Sequence, residues 1–193
     1  MSTAERVRDI IIKPKEEWLA IKGEATAIAD LYKNYVAPLA AIPAVAGFIG
    51  AAVIGERMLG TSYRLGFGSA LGQAVIGYVL TFVVVFLLAI VIDKLATSFA
   101  ATPDQGAAHK VAVYSATPVW VAGVFYLIPD LAWIGLLAGL YAIYVLYLGL
   151  KTLMQAPEDK AVVYTAAVVV AYIVLALIVG AVLGATMGRH MMW

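Results

Sequence analysis

Apolar and charged residues are segregated along this chain. Five stretches, residues 36–55, 69–92, 111–128, 131–150 and 161–184, contain no Asp, Glu, Lys or Arg. Each has the roughly 17–25 residues that cross a hydrocarbon core at a rise of about 1.5 Å per residue. Helices are predicted, because an open sheet would leave backbone groups unpaired in lipid. The pattern predicts an all-α polytopic membrane protein: a bundle of five transmembrane helices within residues 36–193, preceded by short amphipathic interfacial helices within residues 1–35.

Composition agrees. Hydrophobic residues make up 64% of the chain and charged residues 13%, whereas a soluble domain is roughly half apolar and a quarter charged. Ten of the 13 Lys and Arg fall in the N-terminal segment and the second and fourth loops, leaving Arg57, Arg64 and Arg189 on the other side. The positive-inside rule then puts the N-terminus in the cytoplasm. With an odd number of spans the C-terminus lies outside a bacterial inner membrane. A net charge of +1 with no basic block excludes a nucleic-acid partner. The absence of cysteine removes disulfides and thiolate chemistry.

Local signals mark the ends of the spans. Thr102-Pro103-Asp104-Gln105 has the form of a capping box with proline at the first helical position. Pro129-Asp130 predicts a tight hairpin in which Asp130 caps span four. Pro157-Glu158-Asp159 places two acids in the first turn of span five. Near the N-terminus, Pro14 splits the charged block into two short helices. These are predicted to lie at the interface, with Lys13 and Lys15 toward anionic lipid and Trp18 at headgroup depth. Two other readings of the same block are a solvated segment packed on the helix ends and a docking surface, within residues 1–35, for a membrane or cytosolic protein.

The order of short motifs resembles the bacterial branch of the Yip family, five-span proteins related to the eukaryotic Ypt/Rab-interacting proteins. Pro14-Lys15-Glu16-Glu17-Trp18 opens the chain, and Leu31-Tyr32-Lys33-Asn34-Tyr35-Val36-Ala37-Pro38-Leu39 leads into span one. Ala112-Val113-Tyr114-Ser115-Ala116-Thr117-Pro118, Ile128-Pro129 and Tyr144-Val145-Leu146-Tyr147-Leu148-Gly149-Leu150 follow in order. Lys33-Asn34 stands where eukaryotic relatives carry Gly-Pro after Asp-Leu-Tyr. The resemblance therefore implies the five-span topology and a role in membrane organisation, without GTPase binding or an established reaction.

Candidate chemistry is sparse. Pro118 cannot donate to the Tyr114 carbonyl, so span three should kink there, with Ser115 or Thr117 available to take up that carbonyl. The kink serves either as a hinge or as fixed packing. Tyr114, Ser115, Thr117, Pro118, Tyr144, Tyr147 and Tyr164 fall in the cytoplasmic halves of spans three to five. They are candidates to line a pocket for a lipid headgroup or small ligand. The competing reading is an interfacial tyrosine belt with interhelix hydrogen bonds. Gly68/Gly72, Gly135/Gly139, Gly180/Gly184 and Gly184/Gly188 fit GxxxG, which serves packing within the chain or a homo-oligomer.

His109 reads as a solvated interfacial histidine, because it lacks companion ligands for a metal. The tail Met187-Gly188-Arg189-His190-Met191-Met192-Trp193 holds soft donors able to take Cu(I), and Trp193 fits an anchor at the outer interface. No metal or cofactor is implied. Catalytic motifs are missing, and ionisable groups are missing from the five stretches, which disfavours ion-coupled transport. The expectation is a non-enzymatic membrane scaffold or lipid- and protein-organising factor. The alternative is a carrier or channel for a neutral or lipidic solute through the polar region of spans three to five.

Overall fold

The computed structural model describes residues 1–58 and 61–190. Helix α1 (Thr3–Ile12) starts with a complete capping box: the Ser2 hydroxyl accepts from the Glu5 amide and the Glu5 carboxylate accepts from the Ser2 amide. Helix α2 (Pro14–Gly23) follows after a single residue, with proline at its first position. Five helices long and apolar enough to cross a membrane come next, with spans one to four covering Ile28–Ile54, Phe67–Phe99, Gln105–Leu127 and Ile134–Thr152. Span five is a single helix over Glu158–His190. Spans one and two are joined by an antiparallel ribbon of β1 (Glu56–Met58) and β2 (Thr61–Tyr63), pairing Glu56 with Tyr63 and Met58 with Thr61. Gly55, at φ 83°, turns the chain out of span one into that ribbon.

The helices overrun the charge-free stretches at most ends. Span one begins eight residues before position 36 and includes Asp30 and Lys33. A helix can protrude from hydrocarbon and carry its charges in the interface, so uncharged length underestimates helix length. Span one is also not uniform: Tyr32–Val36 and Gly50–Ile54 are π-helical turns. The first of these precedes Pro38, which cannot donate to the Asn34 carbonyl. The Thr3 hydroxyl approaches that carbonyl instead, at 3.4 Å.

Two predicted caps are corrected. Span three is capped by Asp104, whose carboxylate accepts from the Ala107 amide at 2.9 Å, so Pro103 lies before the helix. Asp130 does not cap span four. It lies in a 3₁₀ turn (Pro129–Leu131), and the helix starts only at Ile134, with no side-chain cap at Trp133. Span five carries Glu158 and Asp159 in its first turn, where the helix dipole favours acids.

Span three is the central helix. Of its most apolar window 61% is buried, against 17–22% for the other four spans. It breaks at Ala116 ahead of Pro118, continues as a short helix over Thr117–Ala122, and ends as a 3₁₀ segment over Gly123–Leu127. The freed-carbonyl roles expected of Ser115 and Thr117 are not taken. The Ser115 hydroxyl donates back to the Val111 carbonyl, and the Thr117 hydroxyl pairs with the Tyr35 hydroxyl at 2.9 Å.

The core lies at the end of the bundle that carries α1 and α2. Ile10, Trp18, Ile21, Val36, Ile92, Val111, Val145, Leu150 and Tyr164 are all fully buried there. The loops after spans two and four are tied at the same end by the Thr102 amide, which donates to the Met154 carbonyl at 2.8 Å. Toward the ribbon end the helices present exposed apolar side chains such as Val75, Val79, Val170 and Leu177, as lipid contact requires.

Close backbone approach falls on glycines outside the GxxxG pairs. A Cβ at Gly50 would stand 2.1 Å from the Tyr126 carbonyl oxygen, and one at Gly123 would stand 2.6 Å from Pro43 Cβ. These contacts lock span one onto the ribbon-end half of span three. Gly68, Gly72, Gly139, Gly180 and Gly184 face open space, and a Cβ at Gly135 would stand 3.1 Å from the Tyr126 hydroxyl. The reading of GxxxG as packing within the chain thus fails for Gly68/Gly72 and Gly180/Gly184, because motif spacing does not say which face of a helix is covered. The surroundings of Gly188, and Met191, Met192 and Trp193 altogether, lie outside the described residues, as do the side chains of Met187 and His190.

Gly50→Ala and Gly123→Ala are expected to destabilise the detergent-solubilised protein by about 1–3 kcal/mol each, since the opposing atoms belong to backbone or to a rigid proline. Gly139→Ala is expected to leave the thermal unfolding midpoint unchanged or raise it slightly, a helical glycine being roughly 1 kcal/mol worse than alanine. Thermal unfolding of the three variants side by side measures this.

Candidate functional site

The charged N-terminal block is built into the bundle. Helix α2 lies against span four, with the Trp18 ring seated on Gly149: a Cβ at that glycine would be 2.7 Å from the indole. The indole N–H donates to the Val145 carbonyl at 3.0 Å. The ring also meets Tyr114 edge-on at 6.2 Å, so span three is engaged by the same side chain. Trp18 is thus enclosed by protein at 0% exposure, not presented to headgroups. The sequence suggested an interfacial anchor because tryptophan favours that depth. Gly149 gave no warning that it forms the floor of a tryptophan seat.

The terminal carbonyls of the two short helices are taken up by the spans. The Tyr141 hydroxyl donates to the Ile11 carbonyl at 2.6 Å. The Lys110 ammonium donates to the Ile21 carbonyl at 3.2 Å and to the Glu24 carbonyl. Helix ends leave such carbonyls without intrahelical partners, and burying them unpaired would be costly.

A buried ion cluster completes this clasp. The Arg6 guanidinium forks between the Glu17 and Glu24 carboxylates and lies over the Tyr114 ring, 5.6 Å from its centroid. The Arg6 and Glu17 side chains are only 7% and 8% exposed. Burial by itself would make Arg6 a weaker base. The hydrogen bond to Glu24 and the charge of Glu17 outweigh that and hold it above its ordinary value. Burial pushes the Glu17 carboxyl up, against the pull of Arg6.

On the outer face of the clasp, Lys13, Lys15 and Lys22 are exposed, with Ile12 and Leu19 beside them at 67% and 66% exposure. The amphipathic character read from the sequence is therefore present, but it rests on Ile12 and Leu19 in place of Trp18.

The polar residues expected to line one pocket separate into three places. Tyr114, Thr117 and Pro118 are buried beneath the clasp, with Tyr114 against Tyr35 at 4.8 Å and Thr117 hydrogen-bonded to Tyr35. Ser115 is buried and satisfied on its own helix. Tyr164 joins span five to span two, its hydroxyl donating to the Ile92 carbonyl and its ring stacked on Phe99 at 5.0 Å. Tyr144 is 41% exposed, and Tyr147 carries the Lys151 ammonium over its ring at 5.6 Å.

His109, read as solvated, is buried between Tyr32 and Phe86. Its Nδ1 pairs with the Tyr32 hydroxyl at 3.0 Å, and its Nε2 has no partner among the described residues. No group of three His, Cys, Asp or Glu that could hold a metal occurs among the described residues.

Residues 8–180 match the Yip1 domain family. The chain is 30% identical over 159 residues to the inner membrane protein YohC of Escherichia coli K12, covering 80% of this chain and 81% of that protein. The match to the inner membrane protein YohC of the O6:H1 strain CFT073 has the same identity and coverage. No solved structure matches the chain. Neither the family description nor the relatives' names denote an enzyme.

Truncating the seat tests the clasp. Trp18→Ala is expected to cost about 3–5 kcal/mol, and Arg6→Ala a similar amount by stranding the buried Glu17 carboxylate. Hydrogen exchange in residues 3–23 should rise by orders of magnitude in both variants, while Lys13→Ala and Lys15→Ala should leave it unchanged.

Proposed function

The chain belongs to the Yip1 domain family of integral membrane proteins, and from that premise we propose that it is a non-enzymatic scaffold that organises anionic lipid at the cytoplasmic face of the inner membrane. The N-terminus and the clasp lie in the cytoplasm on this reading, and the C-terminus lies outside. The supporting observation is the clasp itself. Its inner face is fastened to spans three and four by Trp18, Tyr141, Lys110 and Arg6. Its outer face is left with three exposed lysines beside Ile12 and Leu19. A rigid helix pair carrying basic and apolar side chains suits the boundary of an anionic leaflet, where each lysine contributes about 1 kcal/mol.

Transport of a neutral or lipidic solute through spans three to five has less support. Tyr114, Thr117 and Tyr164 are buried, Thr117 and Tyr164 are hydrogen-bonded, and Tyr144 is exposed.

Full-length protein in vesicles of phosphatidylethanolamine and phosphatidylglycerol, with a fraction of fluorescent phosphatidylglycerol, provides the test. Wild type is expected to cluster the probe, read as self-quenching. The combined Lys13→Glu, Lys15→Glu and Lys22→Glu variant is expected to lose the quenching and keep the wild-type unfolding midpoint. No quenching by wild type, or protein-dependent flux of a neutral solute such as glycerol into the vesicles, would overturn the scaffold reading.

A further inference from the structure

Toward the ribbon end, away from the clasp, spans one and two part to leave a cleft of about 540 Å³, lined also by Tyr126 of span three and Leu183 of span five. That lies within the roughly 300–1,000 Å³ of small-molecule sites. From the cleft we infer a binding site for one acyl chain of a diacyl phospholipid, with the ester region of that lipid held at the mouth. The site does not depend on the scaffold role of the clasp.

Depth along span two carries the inference. That helix has 33 residues, a length of roughly 50 Å at the α-helical rise, against about 30 Å of hydrocarbon. Its ribbon-end turns therefore lie in the headgroup region. Gln73 is six residues in from Phe67, roughly 9 Å along the axis, at the boundary where lipid esters sit. Below it the walls are apolar and small: Ala40, Ala44 and Gly47 from span one, Ala74 and Gly77 from span two.

The hydrogen-bonding state of the lining follows the same gradient. At the deep end, Tyr78 donates to the Ala37 carbonyl at 3.1 Å and Thr81 to the Gly77 carbonyl at 2.9 Å, so both are satisfied and the floor behaves as apolar. At the mouth, Gln73 lines the cleft and its side-chain amide has no hydrogen-bond partner among the described residues. An unpaired amide at the mouth and an apolar shaft below match an amphiphile whose carbonyls lie at the interface and whose tail points inward. Water suits the shaft poorly, because an apolar cavity offers it no partners. A fully polar solute would leave the shaft unmatched. Bilayer lipid meets both requirements and is at hand, since Val75 and Val79 beside the cleft are exposed on the lipid-facing surface.

Two glycines make the proposal directly testable. Both line the cleft, and a Cβ at Gly47 or Gly77 meets nothing within 4 Å, so a side chain built there starts from open space. Gly47→Leu and Gly77→Leu should also fold well, leucine being the better helix former. Gly139→Leu, equally open but outside the cleft, is the control.

The full chain is placed in nanodiscs of phosphatidylethanolamine and phosphatidylglycerol containing phosphatidylethanolamine with a diazirine on its acyl chain. It is then irradiated and its crosslinks are mapped. Crosslinks are expected to concentrate on residues 40–51 and 70–81. They should fall at least tenfold there in each filled variant, with wild-type unfolding midpoints, and be unchanged in Gly139→Leu. Gln73→Leu is expected to lower them several-fold. Crosslinks spread evenly over all exposed spans, or undiminished in Gly47→Leu and Gly77→Leu, would mean annular lipid alone and overturn the site.

Discussion

Helices already in lipid gain nothing hydrophobic by touching one another, because the surrounding tails are as apolar as leucine. What holds this bundle is close backbone contact and paired polar atoms, and the polar pairs are concentrated at one end. Trp18 on Gly149, Tyr35 on Thr117, Tyr164 on the Ile92 carbonyl and Lys110 on the carbonyls of α2 all fall near the clasp. At the other end, Gly50 and Gly123 hold span one to span three, and little polar pairing joins spans one and two. The cleft opens where those fastenings run out.

The spans were legible because ionised groups avoid hydrocarbon, a rule that acts on each residue alone and needs no partner. The break at Pro118 and the division of the N-terminal block at Pro14 were legible for a similar reason: proline removes a donor wherever it occurs. Pairwise facts were not legible. Gly149 becomes a seat only because α2 folds back about 130 positions in sequence to place Trp18 on it. The pairs Gly68/Gly72 and Gly180/Gly184, in contrast, look like contact sites in one dimension and face open space in three. Depth assignments by residue type failed likewise for Trp18 and His109. A tryptophan that favours the interface when alone is buried when it has a carbonyl to bond and a glycine to lie on.

The same distinction explains the expected tyrosine pocket. Its members share a similar position along the spans, and that position does not say which of them meet. Azimuth around each helix decides which side chains meet, and the nearly uniform hydrophobicity of these spans hides it. Span four shows this in two adjacent residues. Val145 is buried and lends its carbonyl to Trp18, while Tyr144 beside it is 41% exposed. With apolar residues on every face, no periodicity marks the side that packs. The cleft escaped notice for a related reason. Much of its lining is alanine and glycine, residues that signal close packing in a sequence and here line a gap.

The buried ion cluster bears on why the N-terminal block can be so highly charged and yet so closely held. Replacing a buried ion pair with apolar residues is often neutral or stabilising, so Arg6, Glu17 and Glu24 are not needed to generate affinity. Their geometry does restrict register. Arg6 reaches both carboxylates and the Tyr114 ring only if α1 lies across α2 at one angle and both lie over span three. An apolar patch in the same place would tolerate sliding. A fixed register also fixes what is left outside, so Lys13, Lys15, Lys22, Ile12 and Leu19 form a surface of constant shape. A flexible basic tail would attract anionic lipid equally well without holding it in any arrangement. A surface held rigid by buried charges can impose one, and that is the physical difference between a tether and a scaffold.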